Sequence, residues 1–132
     1  MMDTKSDIQN REDVVRLVDS FYYKVRKDEY LAPIFDMPEE EWQRHLPRMY
    51  NFWENWLFQT GNYNGGMMWV HIQANERTPL NVGHFERWLS YFFITTDELF
   101  AGERAEFVKS KALEIGQIMN AKLNQINMQK QA

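Results

Sequence analysis

Glu39-Glu40-Glu41-Trp42-Gln43-Arg44-His45-Leu46-Pro47-Arg48-Met49-Tyr50-Asn51-Phe52-Trp53-Glu54-Asn55-Trp56-Leu57-Phe58 decides how the first half of the chain folds. Its large uncharged residues fall at 42, 45, 46, 49, 52, 53, 56 and 57, the three-and-four spacing of a helix face turned toward a core. Asp36, Pro38 and three glutamates precede that face, a helix start favoured in both capping and dipole terms. Pro47 lies well inside, where its ring removes the amide that would bond the Gln43 carbonyl. The cost is about 3 kcal/mol in a straight helix, so a kink or restart beside His45 is expected. His45 is the odd member of the stripe. A titratable ring on an apolar face requires a partner, and a backbone group, a side chain or a ligand would each serve.

Upstream, Asn10 with Asp13 three places on resembles a helix-starting box. Val14, Leu17, Val18, Phe21, Tyr22 and Val25 then repeat at helical spacing to about Lys27. Tyr22 is on the buried stripe and Tyr23 is off it, so Tyr22 is either a satisfied core residue or a donor aimed into a pocket. Residues 1–9 read as a loose terminus. Pro33 keeps Glu29 to Met37 short and irregular.

Downstream, Gln59 to Gly66 is dense in residues that tolerate left-handed backbone and reads as a loop. Met67 to Ile72 is an apolar segment too short to be stable alone, and Asn75 to Pro79 is another break. Leu80 to Thr95 predicts a third helix with Phe85, Trp88, Leu89, Phe92 and Phe93 on one face. Thr96-Asp97 and Ala101-Gly102 bracket a small excursion. A last helix from Glu103 to about Met128 carries Val108, Ala112, Ile115, Met119, Leu123 and Ile126, with a loose tail over 127–132. No segment alternates apolar and polar residues. The expectation is one all-α domain over 1–132, with three or four long helices.

The 132 residues suffice for one sizeable core. Cysteine is absent, which removes disulfides, thiolate nucleophiles and Cys-based metal sites. A net charge of −4 with scattered Lys and Arg argues against nucleic acid. With no signal-peptide core and no long apolar run, the sequence reads as a cytoplasmic protein without membrane spans. The excess lies in five Trp, six Tyr, nine Phe and eight Met, which either fill a core or line a cavity for a flat apolar ligand.

The histidines, His45, His71 and His84, are too far apart for an i, i+4 zinc pair. No phosphate-binding glycine motif is present, and Ser6, Ser20, Ser90 and Ser110 at polar positions build no convincing triad. One histidine in an aromatic helical cavity can instead be an axial ligand to haem iron, with donors on the opposite face. Tyr22, His45 and Trp88 are polar-tipped aromatics on three separate stripes.

These residues resemble the group III truncated haemoglobins. The likeness is carried by Phe21-Tyr22 with Val25 and by Leu31-Ala32-Pro33-Ile34-Phe35. It continues through Trp42-x-x-His45-Leu46-Pro47, Phe52-Trp53, Tyr63-x-Gly65, His71 and His84-Phe85-x-Arg87-Trp88-Leu89 with Phe92. It spans about residues 14 to 120, and the order and spacing of the motifs carry it rather than any one of them. The resemblance implies a truncated globin-like helical sandwich around a haem pocket, haem b as cofactor and His71 as the proximal iron ligand. It makes Tyr22, His45 and Trp88 the distal residues that stabilise a ligand. Phe35 would pack on the haem plane, Phe21, Met49, Phe52 and Trp53 would wall the pocket, and Arg48 would reach a propionate. His84 competes with His71 for the proximal role, its bland reading being a helix-end residue in solvent. The implied ligands are O2, NO, CO or peroxide, with redox chemistry of the NO dioxygenase or peroxidase kind, served by an unidentified reductase, in place of oxygen transport. A haem-free helical interaction module and a bis-histidine electron-transfer haem protein are the alternatives.

Overall fold

Asn10 starts the first helix as its sequence suggests, its side-chain oxygen accepting the Asp13 N–H at 3.0 Å. The computed structural model describes residues 5–61, 75 and 80–131. Helix α1 spans Arg11–Lys27 and buries Val14, Leu17, Val18, Phe21, Tyr22 and Val25, the whole of the expected stripe. Burying each such apolar side chain is worth about 1.5–3 kcal/mol, so packing fixes this helix more than propensity does. A short 3-10 turn, Ala32–Phe35, follows the chain reversal at Asp28. Helix α2 spans Glu39–Phe58, helix α3 Val82–Leu99 and helix α4 Glu103–Gln131. Among the described residues there is no strand.

Helix α1 packs against both α2 and α3, α3 packs against α4, and α2 touches α4. The inward face of α1 is thus shared between its α2 and α3 interfaces. None of the described helices is long and apolar enough to cross a membrane. The apolar run Met67 to Ile72, and with it His71, lies outside the described residues.

Several local expectations are corrected. The residue at the head of α2 is Pro38, with no side-chain cap, so the run of glutamates against the helix dipole favours this start and Asp36 does not cap it. Pro47 sits inside α2 without a restart. Helix α3 begins two residues later than expected and runs through Thr96-Asp97 to Leu99. Thr95 and Thr96 are fully buried there, each hydroxyl donating to the carbonyl four residues back, so neither signals a break. The last helix likewise continues past Met128, where a loose tail was expected.

The stretch 5–9, expected to be loose, is anchored. Ile8 is fully buried, and the Asp7 carboxylate accepts from the backbone N–H groups of Arg104 and Ala105, at 2.9 Å each. Helix α4 is preceded by Gly102, which has no side chain to cap with, and Asp7 supplies the cap from the other end of the sequence. The approach is so close that a Cβ on Gly102 would lie 2.5 Å from Asp7 Cγ, and Gly102 has φ +142. The three backbone hydrogen bonds to Asp7 outweigh the burial that opposes them and hold its carboxyl below its ordinary value of 3.8.

The turn after α1 is fastened similarly. Asp28 accepts the backbone N–H groups of Tyr30 and Leu31, the Arg87 guanidinium and the Tyr91 hydroxyl, which ties the end of α1 to α3. Asn75, 2% exposed, exchanges a pair of amide hydrogen bonds with Asn127 and accepts the Leu80 N–H, which pins the approach to α3 against α4.

Candidate functional site

The inward faces of α1, α2 and α3 do not close completely. They leave a cavity of about 1030 Å³ of atom-free space, counting its open mouth, with Ile115, Gly116 and Met119 of α4 behind it. Its wall is overwhelmingly apolar with a few polar groups set into it, the lining chemistry of a small-molecule or cofactor pocket. A Cβ on Gly116 would stand 3.2 Å from Leu89 Cδ1, so glycine there lets α3 and α4 approach closely behind the wall.

Each of the three polar-tipped aromatics singled out in the sequence lines this cavity, Tyr22 from α1, His45 from α2 and Trp88 from α3. The structure brings them together because each sits on the buried stripe of its own helix and the three stripes meet. Tyr22 Oη and His45 Nε2 are 3.2 Å apart, a hydrogen bond across the α1–α2 interface, with the rings at 5.5 Å and 72°. Burial pushes the Tyr22 phenol far above its ordinary range, so it remains a neutral hydroxyl that can donate at any physiological pH. Trp88 meets Phe21 edge to face at 5.5 Å, and its indole N–H makes no hydrogen bond among the described residues.

Phe21, Phe35, Met49, Phe52 and Trp53 all line the cavity. Phe35 packs against Tyr22 at 5.7 Å, and Tyr22 against Trp42 at 5.3 Å, so the phenol ring is held on two sides. Arg48 is different. It stands exposed on α2, outside the cavity wall. The sequence reading assigned no wall role to Leu80, Gly116 and Met37, nor to Val18, Phe85, Ile115 and Met119, although these last four lay on its helical stripes.

His84 is not the solvent-facing residue of its bland reading. It is buried, lines the cavity and stacks on Tyr30 at 4.2 Å with the planes 10° apart. It closes a capping box at the start of α3. Asn81 accepts the His84 N–H, and His84 Nδ1 accepts the Asn81 N–H at 3.0 Å. A backbone N–H can only donate, so Nδ1 is the bare nitrogen and the proton of the neutral ring sits on Nε2. Burial holds the ring's pKa below 6.5, in keeping with that neutral form. A protonated Nε2 is no metal ligand, and Nδ1 is already engaged. His84 is thereby excluded from ligating a metal while the box is intact.

Among the described residues no three His, Asp or Glu side chains cluster to hold a metal ion by themselves. What the wall offers is an apolar enclosure with a neutral phenol, an imidazole and an indole N–H along it. That donor set suits a planar hydrophobic group carrying a small polar ligand. The chemistry of the described wall residues therefore fits a porphyrin.

No family model matches the chain. It is 32% identical over 112 residues to the group 3 truncated haemoglobin ctb of Campylobacter jejuni, a match that covers 82% of this chain and 86% of that one. Among solved structures it is similar to the crystal structure of group III truncated haemoglobin from Campylobacter jejuni, with a TM-score of 0.79 and 31% identity over 91% of this chain and 95% of the other. The likeness covers nearly the whole domain in sequence and in backbone alike, and on it the chain belongs to the group III truncated haemoglobins.

Proposed function

We propose that the cavity holds haem b, with His71 as the axial ligand, and that the protein binds dioxygen for redox chemistry with O2, NO or peroxide in place of transport. The observation that carries this reading is the convergence of Tyr22, His45 and Trp88 from three helices onto one otherwise apolar wall. Family membership supports the cofactor. Of the three histidines, His84 is committed to its capping box and His45 Nε2 to the Tyr22 hydroxyl. His71 remains for the iron, and a hydrogen bond to its second ring nitrogen would orient it there.

When bound, haem would supply an iron centre able to take a diatomic ligand. The chain's own residues decide how long that ligand stays. Tyr22 can donate its hydroxyl proton, and Trp88 its indole N–H, to the outer, partly negative atom of dioxygen. Each such bond in a dry pocket is worth about 1–3 kcal/mol. Two of them favour slow release, which suits consumption of a reactive molecule better than delivery of oxygen. His45 would be the base for a peroxide in the cavity, while toward the Tyr22 oxygen its Nε2 would donate, which leaves the phenol proton for the ligand. Its pairing with Tyr22 also favours an open iron site over the bis-histidine alternative, since ligation by His45 Nε2 would break that bond. Arg48, exposed beside the wall, would meet a propionate at the rim.

The test is the absorbance of the purified protein loaded with haem. An intense band in the violet, retained through gel filtration, is expected. In His71→Ala the haem should be lost, and in His84→Ala it should be kept. Retention in the first variant together with loss in the second would overturn the assignment, and absence of the band in the unmodified protein would leave a haem-free helical module.

A further inference from the structure

Two cavity-wall residues begin a path of ring contacts, stacked as far as Trp53 and edge to face beyond it, that leads out of the protein. Trp88 lies on Phe92 with centroids 6.0 Å apart and planes at 17°, and Phe92 lies on Trp53 at 5.0 Å and 25°. Phe92 is thus sandwiched between two indoles, and it is 1% exposed. Trp53 meets Phe52 at 5.1 Å, and Phe52 meets Trp56 at 6.4 Å. Trp56 is 42% exposed. From the cavity to solvent, no ring is farther than 6.4 Å from the next.

Indoles give up an electron readily and phenyl rings do not, so Phe92 and Phe52 serve as bridges and the tryptophans as stations. Trp42 offers the contrast that shows what a station needs. It is buried, its indole N–H has no hydrogen-bond partner among the described residues, and the Arg26 guanidinium sits 4.3 Å over its ring. A ring cation there would face a fixed positive charge and have no acceptor for its proton. Trp56 also lies beneath a cation, Lys111 Nζ at 4.1 Å. Its exposed indole can, however, release the proton to water and persist as a neutral radical.

We propose that this stack is an electron conduit and that Trp56 is a surface site where small phenolic donors are oxidised. The proposal rests on the haem reading above. Reduction of hydrogen peroxide to two waters in the cavity takes up two electrons and two protons. Each electron leaves a wall indole, Trp53 directly or Trp88 through Phe92, and the deficit passes to Trp56, which loses its N–H proton to solvent. A phenol then gives Trp56 one electron and one proton, restoring the indole and leaving a phenoxyl radical. Over two such cycles one peroxide and two phenols become two waters and two phenoxyl radicals.

The experiment treats the haem-loaded protein with hydrogen peroxide and no phenol, then locates hydroxytryptophan and kynurenine by mass spectrometry of the digest. Trp56 should carry most of the modification, and added phenol should protect it. Trp53→Phe should lower oxidation at Trp56 severalfold and raise it at Trp88. Trp56→Phe, at an exposed position that does not depend on refolding the core, should move the products to Trp53 and slow phenol oxidation severalfold. Oxidation of Trp56 that is equal with and without Trp53 would show an oxidant arriving through solvent and would overturn the conduit, as would products concentrated on Trp42. A missing haem band removes the underlying reading and the conduit with it, whereas an intact band without Trp56 products sinks the conduit alone.

Discussion

Replacing Tyr22 by Phe removes one oxygen atom from the cavity and leaves the ring in its socket. The phenyl would keep its contacts with Phe35 at 5.7 Å and Trp42 at 5.3 Å, so the packing of α1 should survive. His45 Nε2 loses the hydroxyl 3.2 Å away. Because His45 is only half-buried, water can replace that partner, and stability should fall by about 1 kcal/mol or less. The effect on dioxygen should be larger. If the Tyr22 hydroxyl donates to the ligand in a cavity with so few other polar groups, losing it costs about 1–3 kcal/mol, which is about 5–150-fold in affinity. Association depends on entry and changes little, so the change should fall on the dissociation rate. Stopped-flow displacement of O2 by CO in the haem-loaded protein measures it. Carbon monoxide is less polar and gives an internal control, since its own escape should accelerate much less. An O2 dissociation rate in Tyr22→Phe within a factor of about two of the unmodified protein, less than half a kcal/mol, would refute the donor role. If rates are unchanged there but rise in Trp88→Phe, the indole alone holds the ligand.

Three further outcomes follow from the fold and its charges. Asp7→Ala should destabilise the protein by about 1–2 kcal/mol in urea denaturation by stripping the cap from α4. Because the folded Asp7 and Asp28 carboxyls both lie below their ordinary 3.8, their contribution is complete above that value and is lost as pH falls below it through the lower folded values, so an acid titration should lose less stability below 3.8 in Asp7→Ala than in the unmodified chain. Gly102→Ala, which would force a methyl to within 2.5 Å of Asp7 Cγ at positive φ, should cost more than about 2 kcal/mol, and a smaller loss in the denaturation midpoint would mean the Asp7 contact is dispensable. His84, held neutral by burial, takes up its proton more readily unfolded than folded; stability is therefore full above 6.5 and declines as pH drops below it, and in His84→Gln, whose amide oxygen can still accept from Asn81, that decline should flatten in thermal melts between neutral and mildly acidic pH.

How much of this was legible in the sequence depends on how far apart the interacting residues stand. The stripes of α1 and α4 were readable because helical periodicity is local, as was that of α2 apart from Trp56, which the stripe turned inward and the fold leaves exposed, and so was the Asn10 cap, whose partner is three residues on. The Asp7 cap on α4 was not readable, since a carboxylate in a polar terminus gives no sign that a glycine nearly a hundred positions later needs it. The Asn75–Asn127 pair was hidden for the same reason, and Asn75 looked like part of a break. His84 was misjudged although a local signal existed. Asn81 followed three residues on by a side chain that can accept is the capping-box pattern, but the position usually holds Glu or Gln, and an imidazole there went unrecognised.

The candidate site was more legible than either of those contacts, and the reason lies in the connectivity of the helices. Periodicity tells only that Tyr22, His45 and Trp88 each face inward, not that they face one another. They converge because α1 contacts both α2 and α3, so any residue on the common part of its stripe must meet both partners. Tyr22 occupies that part, bonded to His45 of α2, while its neighbour Phe21 packs edge to face on Trp88 of α3. A helix shared by two interfaces leaves little freedom for where its central aromatics can go. The same sharing means that a change at Phe21 or Tyr22 should disturb both walls of the cavity at once, whereas a change at Trp88 should be confined to one, so double substitutions pairing Tyr22 with His45 should couple more strongly than those pairing His45 with Trp88.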